Sequence, residues 1–194
     1  ADYRQALGLQ PQLRSIPYEM ARAAKESGKV CDGILAIEQL VYHHPAAGED
    51  ANLLHQLESL YRKPECRGMA GQGFAALPLD EEAKVILPDA RQGRFFVDLR
   101  TSYSLLRAET AQELGLPTGE AFMVWDGQDV RKGMLVRLSA MKVEEAQAGQ
   151  VDVLVVKDLP DGVDGRLGLS FLSRFALRID PDSNTLELSP KLSD

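Results

Sequence analysis

An acidic side chain at the end of an apolar segment is the feature of this sequence best suited to chemistry. Phe95, Phe96 and Val97 form an apolar run typical of a β-strand, and Asp98 follows it directly. A carboxylate at such a strand end can act as a catalyst, or it can hold loop amides by hydrogen bonds. Asp98 is therefore the candidate catalytic residue.

Other side chains with chemical potential give weaker signals. His43 and His44 are adjacent, so on a helix they point about 100° apart and cannot both face one ion. Neither they nor His55 belong to an H-E-x-x-H motif, and the acids between 161 and 182 have the spacing of turns rather than of a calcium loop. Gly71-Gln72-Gly73 is not followed by the Lys of a phosphate loop. We therefore predict no metal site and no cofactor.

Strand-like segments must position Asp98, and they dominate the chain after the Gly-rich linker at 69–73. Asp126-Gly127 after an apolar run is a strong signal for a hairpin turn, and a short helix is predicted from 108 to 114. The predicted strands are 84–87, 94–97, 122–125, 130–138, 151–156, 174–179 and 185–188.

The order of these segments resembles that of the bacterial retropepsin-like aspartic peptidases. In that family an apolar strand delivers Asp-Thr/Ser-Gly, a hairpin called the flap covers the cleft, and a late apolar-Leu-Gly segment packs beneath the catalytic loop. Here the strand ends at Asp98, the hairpin carries Trp125, and the late segment contains Leu167 and Gly168. The resemblance covers roughly residues 72 to 190.

The resemblance implies a closed β-structure with one catalytic Asp in each subunit. Hydrolysis in that family uses two carboxylates that share one proton, because like charges so close cannot both ionise. This chain offers one such acid, so an active form would be a homodimer that pairs Asp98 across a two-fold axis. The substrate would lie between two segments, the flap Trp125-Asp126-Gly127 and the loop Leu99-Arg100-Thr101.

Two residues after Asp98 depart from the family pattern. Leu99 replaces the hydroxyl residue that hydrogen-bonds across the dimer, and Arg100 replaces the glycine that lets backbone approach the attacking water. If Arg100 points inward, its cation beside Asp98 opposes the shared proton, and if it points outward, the tight turn still has to accommodate a Cβ. We therefore interpret the domain as a catalytically impaired homologue that binds a peptide or protein or serves in dimerisation. The alternatives are an active homodimeric aspartic endopeptidase and a purely structural dimeriser.

The first part of the chain has helical spacing instead. Helices are predicted from Ile16-Pro17 to Gly28, from Asp32 as N-cap towards Pro45, and along the apolar stripe from 53 to 61. Residues 21–47 resemble one tetratricopeptide unit, which serves either in packing or in partner binding. The predicted fold class is α+β, with a helical tetratricopeptide-like domain at 1–68 and an all-β retropepsin-like barrel at 74–190.

Composition and cysteine content limit the partners and the compartment. The net charge of −7 over 194 residues, without a basic run, argues against a nucleic-acid partner, and no apolar stretch approaches the ~20 residues of a membrane span. Cys31 and Cys66 are disulfide candidates if the protein is exported and ordinary thiols if it is cytoplasmic. Together with a first residue, Ala1, that is not Met, the pair favours a periplasmic or secreted location.

Overall fold

The first part of the chain is helical. A computed structural model describes residues 2–10, 12–126 and 128–191 of the chain. Its early helices are Asp2–Leu9 (α1), Ser15–Glu26 (α2), Asp32–His43 (α3) and Ala51–Tyr61 (α4), with short 3-10 turns at Pro45–Glu49 and Pro64–Cys66. None of the described helices is long and apolar enough to cross a membrane.

Local signals explain most of these helix boundaries. Pro17 lies in the first turn of α2, and Gly28 follows the end of that helix with a positive φ of 72°. The carboxylate of Asp50 caps α4 by accepting from the backbone N–H of Asn52, 2.9 Å away. The prediction that Asp32 caps α3 is wrong, because its carboxylate makes no cap hydrogen bond and instead accepts from Arg137 at 2.9 Å.

Helix α1 was not predicted, and α3 is buried on more sides than its amphipathic pattern suggests. One face of α3 packs against α4 through Ile37 and Leu57. Leu35, on another face, joins Leu7 of α1 and residues of the following sheet in a second apolar cluster. Because α3 belongs to both clusters, the helices and the sheet share a continuous interior.

The second part of the chain is built from strands. They are Ala75–Pro78 (β1), Ala83–Ile86 (β2), Gln92–Val97 (β3), Ser104–Arg107 (β4), Glu120–Trp125 (β5), Val130–Val143 (β6), Ala146–Val156 (β7), Gly165–Leu167 (β8), Phe175–Asp180 (β9) and Thr185–Pro190 (β10). A 3-10 turn covers Pro88–Ala90, and two short helices cover Ala108–Glu113 (α5) and Leu169–Leu172 (α6).

Six of these strands close into a barrel. A seven-stranded sheet has the order β2-β3-β8-β4-β7-β6-β5, and an additional pairing between β2 and the end of β6 closes the ring. Strand β6 is long enough to pair with β5 along its first half, so the β5–β6 hairpin projects from the ring. Closure removes exposed strand edges, and the result is the α+β fold with a β-barrel that the sequence predicted.

The barrel interior follows the period-two alternation of its strands. Phe95, Leu106 and Leu167 are fully buried inside it with the apolar residues of β6 and β7. A smaller sheet, in the order β1-β10-β9, packs against the same core through Leu186 and Leu188. The observed β6–β7 hairpin is longer than predicted, because β6 continues to Val143 and β7 begins at Ala146.

Ion pairs tie the helices to the barrel, and a disulfide links two elements within the helical part. Asp152 of β7 accepts from Arg4 of α1 at 2.8 Å and from Arg137 of β6 at 2.7 Å. The structure joins Cys31, before α3, to Cys66, after α4, in a disulfide. The Arg4–Asp152 pair therefore holds α1 against the barrel, and the disulfide holds the start of α3 next to the end of α4.

Candidate functional site

Asp98 lies where β3 leaves the barrel, directly over β8. Its backbone N–H donates to the carbonyl of Leu167 at 2.9 Å, and the N–H of Leu169 donates back to the carbonyl of Thr101 at 3.0 Å. The segment that contains Leu167 and Gly168 therefore supports the loop after Asp98. This is the juxtaposition expected from the order of segments.

Close packing beneath the loop requires a small residue at 168. A Cβ on Gly168 would lie only 2.5 Å from the carbonyl oxygen of Tyr103. Any residue other than glycine at this position would therefore displace the backbone. The N–H of Gly168 donates to the hydroxyl of Ser104 at 3.0 Å, and Ser170 donates from its hydroxyl to the carbonyl of Asp152 at 2.6 Å. These buried hydrogen bonds fix the loop and its support in one arrangement.

Two guanidinium groups bind the carboxylate of Asp98, whose side chain is only 4% exposed. Arg166 of β8 donates from Nη1 to Oδ2 at 2.9 Å. Arg100 donates from Nε to Oδ1 at 3.2 Å and from Nη2 to Oδ2 at 3.4 Å, and its backbone N–H donates to Oδ1 at 3.1 Å. Both oxygens of the candidate catalytic acid are therefore engaged by cationic donors.

The residues after Asp98 point in different directions. Leu99 is partly buried and packs against the barrel core. Arg100 turns outward with a side chain 56% exposed, and its hydrogen bonds to Asp98 and the charge of Asp98 raise its pKa. Thr101 is fully buried and donates from its hydroxyl to the carbonyl of Tyr103 at 3.0 Å, so it holds the loop. Of this predicted substrate-binding trio, Arg100 is the residue most open to a ligand.

The helical part also contacts this loop, which the sequence did not reveal. Gln39 of α3 donates from Nε2 to the carbonyl of Ser102 at 2.8 Å, and the Ser102 hydroxyl donates to the carbonyl of Leu7 in α1 at 3.3 Å. Burial, and secondarily the charge of Asp98, raise the pKa of Tyr42 near the end of α3. The loop is thus held from below by β8 and from the side by α1 and α3.

The hairpin predicted around Trp125 is present as the β5–β6 pair. At its end Trp125 pairs with Val130 across the strands, and their exposed fractions are 37% and 46%. Asp126 is almost fully buried, and its carboxylate accepts from the N–H groups of Gln128 and Asp129 at 3.0 and 2.9 Å. Gly127, the third predicted flap residue, lies outside the described residues. Asp126 therefore shapes the turn.

The charge balance at this turn is set by Arg131. It donates from Nε to Oδ2 of Asp126 at 2.7 Å and also contacts the carboxylate of Asp158. Burial alone raises the pKa of Asp126, but the hydrogen bonds from Asp129, Arg131 and Gln128 outweigh burial and leave the pKa below its usual value. The charge of Asp126 also contributes, as a minor cause, to the raised pKa of Arg100.

The acidic and histidine side chains of the described residues do not gather at one place. Within residues 2–10, 12–126 and 128–191, no three side chains of His, Cys, Asp or Glu cluster in a way that could hold an ion. The residues beside Asp98 are cationic donors, which suit an anion rather than a metal.

A comparison with protein-family models matches residues 83–171 to the family described as Aspartyl protease. The matched segment contains Asp98, the β5–β6 hairpin and the Leu167-Gly168 support, and it spans slightly less than half of the chain. The β part therefore resembles an aspartyl protease over residues 83–171, and the resemblance expected from the order of its segments is confirmed.

Several solved structures are similar to part of this chain. One is a retropepsin-like aspartic protease from Rickettsia conorii, at 22% identity and a TM-score of 0.45, covering 61% of this chain and 92% of that chain. Another is the retroviral protease-like domain of Ddi1 from Leishmania major, at 17% identity and a TM-score of 0.39, covering 58% of this chain and 94% of that chain. The aspartic proteinase from Irpex lacteus has 14% identity and a TM-score of 0.36, with coverage of 61% and 47%. A comparison with curated proteins gives no match.

Proposed function

We propose that this protein is an aspartic peptidase homologue that binds an extended peptide and does not hydrolyse it efficiently. The observation that carries the proposal is the engagement of both Asp98 oxygens by Arg166 and Arg100. The family match supports an aspartic-protease-like fold, and the arginines argue against peptide hydrolysis by Asp98.

The chemistry of hydrolysis explains why these contacts matter. Two carboxylates must share one proton and hold the attacking water between them. Arg166 and Arg100 donate to the two carboxylate oxygens that would have to hold this water. A hydroxyl at position 99 could help to rigidify a dimeric catalytic loop, but Leu99 packs into the core instead. Asp98 therefore serves to hold its loop.

Peptide binding has separate support in the hairpin. The exposed Trp125–Val130 pair at the end of β5 and β6 offers apolar contact to a ligand. An extended peptide can add to a sheet through main-chain hydrogen bonds, which require no catalytic acid. Binding can therefore survive the loss of hydrolysis.

Incubation with unfolded casein at several acidic pH values tests the catalytic half of the proposal. The natural protein and Asp98→Asn should both leave casein intact. Cleavage by the natural protein that disappears in Asp98→Asn would overturn the proposal and establish an active endopeptidase.

Peptide anisotropy measurements test the binding half. Trp125→Ala should weaken the binding of a labelled extended peptide several-fold, because aromatic anchors dominate such contacts. Phe74→Ala is the matched control, since Phe74 is also an exposed aromatic residue, at 67%, and lies before β1. Equal effects of the two substitutions would contradict a role for the hairpin.

An active homodimer is the second candidate, and the match of residues 83–171 to the aspartyl protease family favours it. It requires two Asp98 loops to meet. In Asp98→Cys, two meeting loops would form an intermolecular disulfide under mild oxidation, whereas Asp182→Cys on an exposed turn controls for random cross-linking. Cross-linking at 98 alone would support the dimeric enzyme.

We further propose an oxidising compartment, periplasmic or extracellular. The Cys31–Cys66 disulfide supports it, because such bonds persist mainly outside the reducing cytoplasm. Thiol labelling of protein taken directly from its cells tests this proposal. Two labelled cysteines would contradict it.

A further inference from the structure

The charges around Asp98 do not balance. Two guanidinium groups, from Arg100 and Arg166, contact one carboxylate. The acid Asp126 of the β5–β6 hairpin is hydrogen-bonded to Arg131 and to amides of its own turn. The pair of arginines therefore keeps an excess of one positive charge at the position where a peptidase would present an acid.

Both arginines also keep donors available. Each guanidinium carries five N–H groups in a planar fork. Arg166 uses Nη1 towards Asp98, and its Nε and Nη2 have no acceptor among the described residues. The bonds of Arg100 to Asp98 are long, at 3.2 and 3.4 Å, and its side chain is 56% exposed. An incoming carboxylate could bind the remaining donors without removing Asp98.

The positions of the arginines follow from the barrel. Arg166 lies opposite Phe96 in the parallel pairing of β8 with β3, and Asp98 is two residues beyond Phe96. Because side chains alternate along a strand, Arg166 and Asp98 lie on the same outward face. Arg100 approaches Asp98 from the loop, so the two guanidinium groups flank the carboxylate from different elements.

We propose that this pair of arginines binds a carboxylate of the peptide ligand, either an Asp or Glu side chain or the C-terminal carboxylate. This inference rests on the proposed peptide-binding function and names the chemistry that it selects. Charge-assisted hydrogen bonds from guanidinium to carboxylate are strong and directional, which makes Arg pairs suited to such recognition. The site would thus bind an anion at the position where a peptidase uses its catalytic acid.

Labelled peptides of one apolar sequence test the proposal by fluorescence anisotropy. One peptide has a central Gln and an amidated end, a second has Glu at the centre, and a third has Gln with a free C-terminal carboxylate. We expect the preferred charged peptide to bind about tenfold tighter than the neutral one. This is the gain in affinity that one charge-assisted hydrogen bond provides. The second and third peptides distinguish the two sources of the carboxylate.

Substitutions assign the effect to the site. Arg166→Gln and Arg100→Gln should each reduce the charged-over-neutral preference, whereas Arg178→Gln, which breaks an exposed ion pair with Glu187 on the smaller sheet, should leave it unchanged. Asp98→Asn should raise the preference, because it removes the competing carboxylate. A preference that is unchanged in both Arg166→Gln and Arg100→Gln would overturn the assignment.

A measurement with acetate separates this inference from the proposed function. Acetate should produce saturable shifts of the Arg100 and Arg166 Nε–H signals in nuclear magnetic resonance spectra, and chloride at equal ionic strength should not. Acetate shifts without binding of any peptide would refute the peptide-binding function and leave the carboxylate site. Peptides that bind equally well with and without charge would refute the carboxylate site and leave the function. Absence of both effects refutes both.

Discussion

Two acid–arginine clusters in this molecule have similar chemistry and different surroundings. Glu38 of α3 faces Arg174 before β9, and their side chains are 0% and 2% exposed. Asp98 is nearly as buried as Glu38, but its partners Arg166 and Arg100 are 21% and 56% exposed. The first cluster is sealed on all sides, whereas the second opens to solvent on its cationic side.

The difference separates a structural role from a recognition role. Glu38 accepts from the hydroxyl of Tyr61 and, more weakly, from Ser173 at 3.4 Å. Arg174 Nη1 lies 3.4 Å from Glu38 Oε2 without hydrogen-bond geometry, and it has no other partner among the described residues. Burial and the charge of Glu38 raise the pKa of Tyr61. No ligand can reach this cluster, so it holds α3 and α4 against the barrel.

The largest predicted loss of unfolding free energy comes from breaking the buried Glu38–Arg174 cluster. Glu38→Gln keeps an acceptor for Tyr61 but leaves Arg174 as a buried charge without an acid. Removing one partner of a buried ion pair costs about 3–5 kcal/mol of unfolding free energy. Urea unfolding followed by circular dichroism measures the loss.

A double substitution controls for that experiment. Replacing Glu38 and Arg174 together by Met removes both charges and should cost clearly less than Glu38→Gln alone, because no buried charge is left uncompensated. A loss below about 1 kcal/mol in Glu38→Gln would show that the cluster contributes little.

The disulfide near the sealed cluster provides the second test. Cys31→Ser with Cys66→Ser should lower the unfolding free energy by about 2–4 kcal/mol, because the unfolded chain gains freedom over a separation of 35 residues. The natural protein measured with a reducing agent should show the same loss. Equal stability of the natural and doubly substituted proteins would mean that the disulfide contributes nothing to the unfolding free energy.

A substitution in the Asp98 cluster should lower the unfolding free energy less than Glu38→Gln does. Arg166→Gln leaves Asp98 bound to Arg100 and to the Arg100 amide, so we expect a loss of about 1–3 kcal/mol, as for one charge-assisted hydrogen bond at a buried acceptor. Arg178→Gln, in an exposed pair, should change stability by less than about 0.5 kcal/mol. A loss in Arg166→Gln equal to that in Glu38→Gln would remove the distinction between the clusters.

The sequence predicted the fold and some of the residues around Asp98, but not all of them. The order of an apolar strand, a hairpin and a Leu-Gly segment carried the family resemblance, and that resemblance implied that Leu167 and Gly168 lie beneath the Asp98 loop. Arg166 was missed although it lies in the same segment. Only the strand register shows that it shares a face with Asp98.

Long-range contacts account for the other errors. Asp32 has the sequence context of a helix cap, but Arg137, far along the chain, takes its carboxylate. Helix α1 has a weak local pattern and is stabilised through Leu7, which is fully buried among residues of α3 and the sheet. Local propensity cannot reveal partners of this kind, which become neighbours only after the barrel has closed.

The smallest predicted change in unfolding free energy concerns a third carboxylate, Asp126. Asp126 is buried like Glu38, and its partner Arg131 is partly exposed like Arg166. The pKa of Asp126 is depressed in the folded protein, so its contribution to stability is present above the unfolded pKa and is lost as the pH falls through the folded pKa. Asp126→Asn should therefore flatten the acid-side decline of unfolding free energy. Urea unfolding at a series of acidic pH values measures that slope, and Asp182→Asn, on an exposed turn, is the matched control. An unchanged slope in Asp126→Asn would show that the turn is held by Arg131 and its backbone without help from this charge.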